Sequence, residues 1–167
     1  IGEAVFARAL SAAKEERVAA SKQIRYEGGG LAGDKRALVD DLRQALYAAK
    51  IISYAQGYQL LRSAAQVNKW SLNYGGIALV WRGGCIIRSA FLGDIKKAFD
   101  RAPALTNLLL DPFFRDAVGS RQAGWRRAIV AAMLSGVPVP CLSSALSYFD
   151  GYRSEPLPAN MIQAQRD

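Results

Sequence analysis

The sequence predicts an all-α fold, a helical bundle around one long central helix. Apolar residues recur at three- and four-residue spacing through most of the chain, the period of a helix with one buried face. No segment alternates apolar and polar residues as a half-buried strand does. Gly and Pro collect between the periodic stretches, where they punctuate rather than interrupt.

From Glu3 to about Ile24, Val5, Phe6, Leu10, Ala13, Val18 and Ala20 mix with charged residues and no Gly or Pro intervenes, so one helix is expected. A glycine-rich connection covers Arg25 to Gly33, and Asp34 can cap the longest helix, about Lys35 to Val67. Leu38, Leu42, Ala45, Ala49, Ile52 and Leu60 mark its apolar stripe, widened by Leu46, Ile51, Leu61 and Ala64, with Gly57 read as a close-packing point. Asn73 can cap a short helix from Tyr74 to Trp81, which Gly83 and Gly84 end. A helix from about Cys85 to Phe99, a short apolar one over Leu105–Leu110 and one started by Asp111-Pro112 follow. Further helices are expected over Ala123–Ser135, Leu142–Arg153 and Ala159–Arg166, with 137–140 extended.

The 167 residues suit a single domain, and 51% hydrophobic with 22% charged residues can build a sizeable core. Lys and Arg number 22 against 14 acids, a formal charge of +8. There is no histidine, which excludes histidine triads, histidine acid–base chemistry and histidine metal ligands from this chain. Cys85 and Cys141 stand far apart and suggest neither zinc nor a disulfide framework; buried, reduced thiols in a cytoplasmic protein are expected. Apolar runs are as short as Ile77–Trp81, so no membrane span is expected. The chain starts without Met and stops inside a helical pattern, so it reads as a piece of a longer protein.

Gly28, Gly30 and Gly33 match the spacing of a dinucleotide loop, but a charged helix precedes them where that loop needs a strand, so the nucleotide reading is rejected. The segment Asn73–Cys85 carries two glycine pairs; without a lysine in P-loop position, close helix approach at Gly75-Gly76 and a turn at Gly83-Gly84 are preferred to a phosphate cradle. The basic pairs Lys35-Arg36, Lys96-Lys97 and Arg126-Arg127 are dispersed, and most Tyr and Trp fall on apolar stripes, so no nucleic acid is expected; a positive field for a small phosphorylated anion fits as well. Asp40 and Asp41 are adjacent, point to different parts of a helix and do not form an acid–base pair.

Longer strings are more specific. Ile-Gly-Glu-Ala-Val-Phe-Ala-Arg (1–8), Lys-Ile-Ile-Ser-Tyr-Ala-Gln-Gly-Tyr (50–58), the run 72–89 from Leu72 through Trp81 to Ser89, Tyr-Phe-Asp-Gly-Tyr-Arg-Ser-Glu (148–155) and 157–167, ending Gln-Ala-Gln-Arg-Asp, closely resemble the 6-phosphogluconate dehydrogenases. The likeness covers essentially the whole chain and is weakest at 25–33, a variable surface connection.

That resemblance implies an NADP-dependent oxidoreductase converting 6-phosphogluconate to ribulose 5-phosphate and CO2 in the pentose phosphate pathway. It implies that 1–167 is the all-helical substrate-binding and dimerisation domain, without the N-terminal Rossmann domain, the end of the C-terminal tail with its histidine, or the family's catalytic lysine and glutamate. No catalytic residue is therefore assigned to this chain, which is expected to be inactive alone, with NADP bound mainly by the missing domain. Two substrate-binding residues carry over by motif: Arg8, ending the 1–8 string, and Arg166, in Gln-Ala-Gln-Arg-Asp, both matching ligands of the substrate phosphate. Paired guanidinium N–H groups suit a phosphate dianion. In the family the second arginine reaches the neighbouring subunit's site, so a homodimer is implied. The alternative is a stand-alone helical dimerisation or interaction module without catalysis.

Overall fold

A computed structural model describes residues 2–30 and 33–166; Ile1, Leu31, Ala32 and Asp167, which fall in strings and connections discussed above, lie outside the described residues. Where helix starts were expected, short polar side chains take free amides. Asp34 accepts from the Arg36 amide at 3.0 Å, Asn73 from Gly76 at 2.8 Å, and Asp111, followed by Pro112, from Phe113 at 3.0 Å. The helices are α1 (Gly2–Ala12), α2 (Lys14–Gln23), α3 (Lys35–Asn68), α4 (Tyr74–Val80), α5 (Leu92–Arg101), α6 (Pro112–Gly119), α7 (Gln122–Leu134), α8 (Pro140–Tyr152) and α9 (Ala159–Ala164). No strand occurs among the described residues, and the all-α class holds.

The chain forms two compact units. One is Lys50–Ala123; the other comprises the described residues up to Ala49 and from Gly124 onward. The long helix α3 contributes to both. In the Lys50–Ala123 unit, Phe91 meets Phe114 edge-on at 6.0 Å and Tyr54 at 5.3 Å, over a floor of fully buried Ile51, Ile52, Leu92 and Ile95. Helices α4 and α5 approach closely at Gly75, where a Cβ would stand 3.3 Å from Lys96 Cγ. In the other unit, Trp125 is fully buried, donates to the Leu142 carbonyl at 3.2 Å and faces Phe149. Gly124 lies against α3 so tightly that a Cβ would stand 2.5 Å from Gln44 Oε1.

Several expectations need correction. The single helix over 3–24 is two, broken at Ala13. Arg17 folds back across the break and donates to the Leu10 and Ser11 carbonyls at 3.1 and 3.0 Å, satisfying acceptors that α1 leaves free at its end. The expected helix from Cys85 begins only at Leu92. The preceding segment is held instead by α3, whose Lys50 Nζ donates to the Arg88 carbonyl at 3.0 Å and whose Tyr54 hydroxyl donates to the Ile87 carbonyl. The helix expected over 105–110 shrinks to a 3-10 turn, Leu108–Leu110. Gly57 is no close-packing point: nothing lies within 4 Å of a Cβ built there, and it lines an open apolar recess with Tyr54, Tyr58 and Trp81. Leu42, Leu46 and Leu60 are exposed rather than on the buried stripe. Cys141 is exposed and Cys85 half-buried, so neither thiol is a buried one; both are free.

Candidate functional site

Arg8 sits two-thirds of the way along α1, a helix that buries none of its residues in this chain. Its helix packs on α8, and Glu3, Phe6, Ala7 and Leu10 wall a surface recess of about 550 Å³ whose far side is Met133 and 137–140 with Ser143. Those four residues repeat at helical spacing, so they share one face; Arg8 lies about 100° round the helix from Ala7. The Arg8 side chain is exposed and makes no hydrogen bond or ion pair with any described residue. Several other guanidinium groups are already engaged: Arg101 with Asp111, Arg126 and Arg153 with Asp150, Arg127 with Asp41 and Arg62 with the carbonyls of Ala104 and Leu105. The Arg8 guanidinium has no such partner among the described residues.

Arg166 follows α9, with its amide donating to the Gln163 carbonyl at 2.9 Å and its side chain exposed. Its segment leaves the end of α8 through a turn at Pro156 and Pro158. There Arg153 lies over the Phe149 ring, 5.5 Å from its centroid, and Ser154 Oγ donates to the Asp150 carbonyl at 2.7 Å. Helix α8 is thus next to the elements of both predicted arginines: α1, which bears Arg8, packs on it, and the chain runs on from its end to Arg166.

Electrostatics in this unit centre on two carboxylates that sequence reasoning did not single out as partners. Asp41 accepts from Arg127 through both oxygens, at 2.8 and 2.6 Å, which lowers its pKa; burial opposes that shift. Asp150 accepts from Arg126 at 2.9 and 2.6 Å and from Arg153 at 3.1 and 3.0 Å, and these bonds, Arg126 first, hold its pKa below the usual carboxylate value. Both members of the Arg126-Arg127 pair thereby have a carboxylate partner, as do Lys96 in Asp100 and Lys97 in Asp94.

The described residues do not fit a dinucleotide. Gly28 to Gly30 follow α2, not a strand, and the next helix start is already capped by the Asp34 carboxylate, which repels a phosphate. No group of three or more potential metal-ligating His, Cys, Asp or Glu side chains occurs among the described residues. No described helix is long and apolar enough to cross a membrane.

Residues 1–167 match a family model described as 6-phosphogluconate dehydrogenase, C-terminal domain. Over its full length the chain is 61% identical to the decarboxylating 6-phosphogluconate dehydrogenases of Ovis aries and Homo sapiens, covering 35% of each, and 58% identical to that of Schizosaccharomyces pombe, covering 34%. A solved Plasmodium falciparum 6-phosphogluconate dehydrogenase, described in its apo form and in complex with its cofactor NADP+ and its substrate 6-phosphogluconate, superimposes with a TM-score of 0.89. It shares 38% identity over 98% of this chain and 35% of that one. The chain thus spans about a third of the length of the relatives it matches.

Proposed function

Because the chain belongs to the 6-phosphogluconate dehydrogenase family, as its C-terminal domain, we propose that it is the substrate-binding and dimerisation part of an enzyme oxidising and decarboxylating 6-phosphogluconate to ribulose 5-phosphate and CO2 with NADP. The observation that carries this reading is the family match over 1–167 together with an unengaged guanidinium, Arg8, at the end of one matching string. Arg8 and Arg166 hold the substrate phosphate by paired, charge-assisted N–H bonds. Gripping the non-reacting end fixes the sugar acid so that its carbon chain is presented in one register. NADP is held by the remainder of the enzyme, a dinucleotide-binding domain, and no step through it is assigned to residues of this chain.

Arg166 is proposed to act in trans, entering the site of the second subunit of a homodimer. Support comes from apolar residues left bare on this unit: Val5 is 66%, Phe6 70% and Leu10 63% exposed on α1, with Val130, Met133 and Leu134 similarly uncovered on α7. Exposed apolar side chains grouped on neighbouring helical faces mark an interface. The cytoplasm is the compartment proposed, in keeping with two free thiols. The positive charge is assigned to attraction of an anionic sugar phosphate.

The test is direct. The isolated chain is expected to form no NADPH from 6-phosphogluconate and NADP, whereas the full-length enzyme containing it does. NADPH formed by the chain alone, or none by the full-length enzyme, contradicts the assignment.

A further inference from the structure

An acid in the last turn of a helix has the wrong sign for the helix dipole and destabilises it unless something compensates. Asp150 stands in that place on α8, next to the point where the chain departs toward Arg166. Compensation comes from two directions. Arg126 of α7 meets the carboxylate with two parallel N–H bonds, and Arg153, just past the helix, adds two more to Oδ1. The backbone is tied at the same place: the Asp150 carbonyl accepts from Ser154 Oγ at 2.7 Å, and the Leu157 side chain returns to the helix end, within 3.7 Å of where a Gly151 Cβ would lie. Arg153, Ser154 and Leu157 are thus each attached to Asp150 or its neighbour, and these are the residues that set the exit of the chain.

We propose that Asp150, clamped between Arg126 and Arg153, is a positioning residue that sets the direction in which the segment bearing Arg166 leaves α8. The proposal rests on the reading of Arg166 as a ligand of the substrate phosphate. A phosphate ligand binds only when it is correctly placed, so removing the clamp is felt at Arg166 as weaker substrate binding without any direct contact to substrate.

The test is a double-mutant cycle in the full-length dimeric enzyme, with KM and kcat for 6-phosphogluconate and KM for NADP measured on Asp150→Asn, Arg166→Ala and the combination. Asp150→Asn is expected to raise the KM for 6-phosphogluconate about tenfold, with kcat and the KM for NADP nearly unchanged, as for loss of uniform binding. In the Arg166→Ala background the same substitution is expected to change nothing further. An effect of Asp150→Asn that persists in full in that background, or a normal KM in Asp150→Asn while Arg166→Ala raises it, overturns the proposal. A normal KM in Arg166→Ala overturns the phosphate reading itself, and the positioning role with it. If Asp150→Asn does not fold, Arg153→Ala at its half-exposed site takes its place in the cycle; it is expected to raise KM in the same way and also to be silent beside Arg166→Ala. Additivity there overturns the proposal.

Discussion

Arg8→Ala in the full-length enzyme is expected to raise the KM for 6-phosphogluconate about 100-fold and to leave the KM for NADP nearly unchanged. The magnitude follows from the chemistry of the contact. Hydrogen bonds to charged groups contribute about 1.5–3 kcal/mol each, and about 1.4 kcal/mol is a factor of ten. Loss of one guanidinium from a phosphate clamp therefore removes about two factors of ten. The side chain is exposed and lacks a partner among the described residues, so its removal leaves no buried group unpaired and the fold is expected to stand. Arg8→Lys keeps the charge but not the planar fork, and is expected to recover only part of the loss. Steady-state kinetics with each substrate varied in turn provides the check: equal weakening toward 6-phosphogluconate and NADP contradicts the assigned role.

The largest effect on stability is expected at Trp125. Its side chain is fully buried, its indole N–H is committed to the Leu142 carbonyl, and its ring meets Phe149 on α8, the helix against which α1 packs. Trp125→Ala leaves a large cavity and is expected to cost about 3–5 kcal/mol, lowering the thermal midpoint by on the order of 10 °C. Trp125→Phe keeps most of the apolar volume and loses the indole bond to a Leu142 carbonyl that α8 already engages, a cost of about 0.5–1.5 kcal/mol. Thermal melts of the full-length variants measure both. A midpoint within about 2 °C of the parent for Trp125→Ala contradicts the account of this core.

Local chemistry made part of the fold legible. Asp34, Asn73 and Asp111-Pro112 each carry the oxygen or the ring that a helix start needs, and each helix begins there. The stop after Ser135 is set by local chemistry too: Gly136, the next residue, has φ +67°, which a glycine adopts without strain. What was missed depends on side chains that lie outside the element they shape. The break at Ala13 needs Arg17 to cap α1 from outside. The segment 85–91 reads as helix by its apolar residues, yet Lys50 and Tyr54 claim its carbonyls from across the unit. Tertiary capture of this kind overrides propensity and leaves no periodic trace.

The site divides in the same manner. Nothing in the neighbourhood of Arg8 or Arg166 distinguishes them from ordinary helix-face arginines; only the strings around them do. Asp150 carries no signal at all, because its decisive partner, Arg126, lies 24 residues away on another helix. Pairing between acids and bases on separate elements is visible only when the elements are placed. It is also what gives each member of one basic pair of the sequence, Arg126-Arg127, a carboxylate partner on another helix.

The central claim is that one phosphate site takes Arg8 from one subunit and Arg166 from the other. Subunit mixing tests it most directly. Arg8→Ala and Arg166→Ala enzymes, each nearly inactive at a substrate concentration near the parent KM, are dissociated, combined in equal amounts and reassociated. In a mixed dimer one site loses both arginines and the other retains both, so the mixture is expected to regain about a quarter of the parent activity. Activity no higher than that of the separate variants means that both arginines serve the same subunit's site, and contradicts the claim.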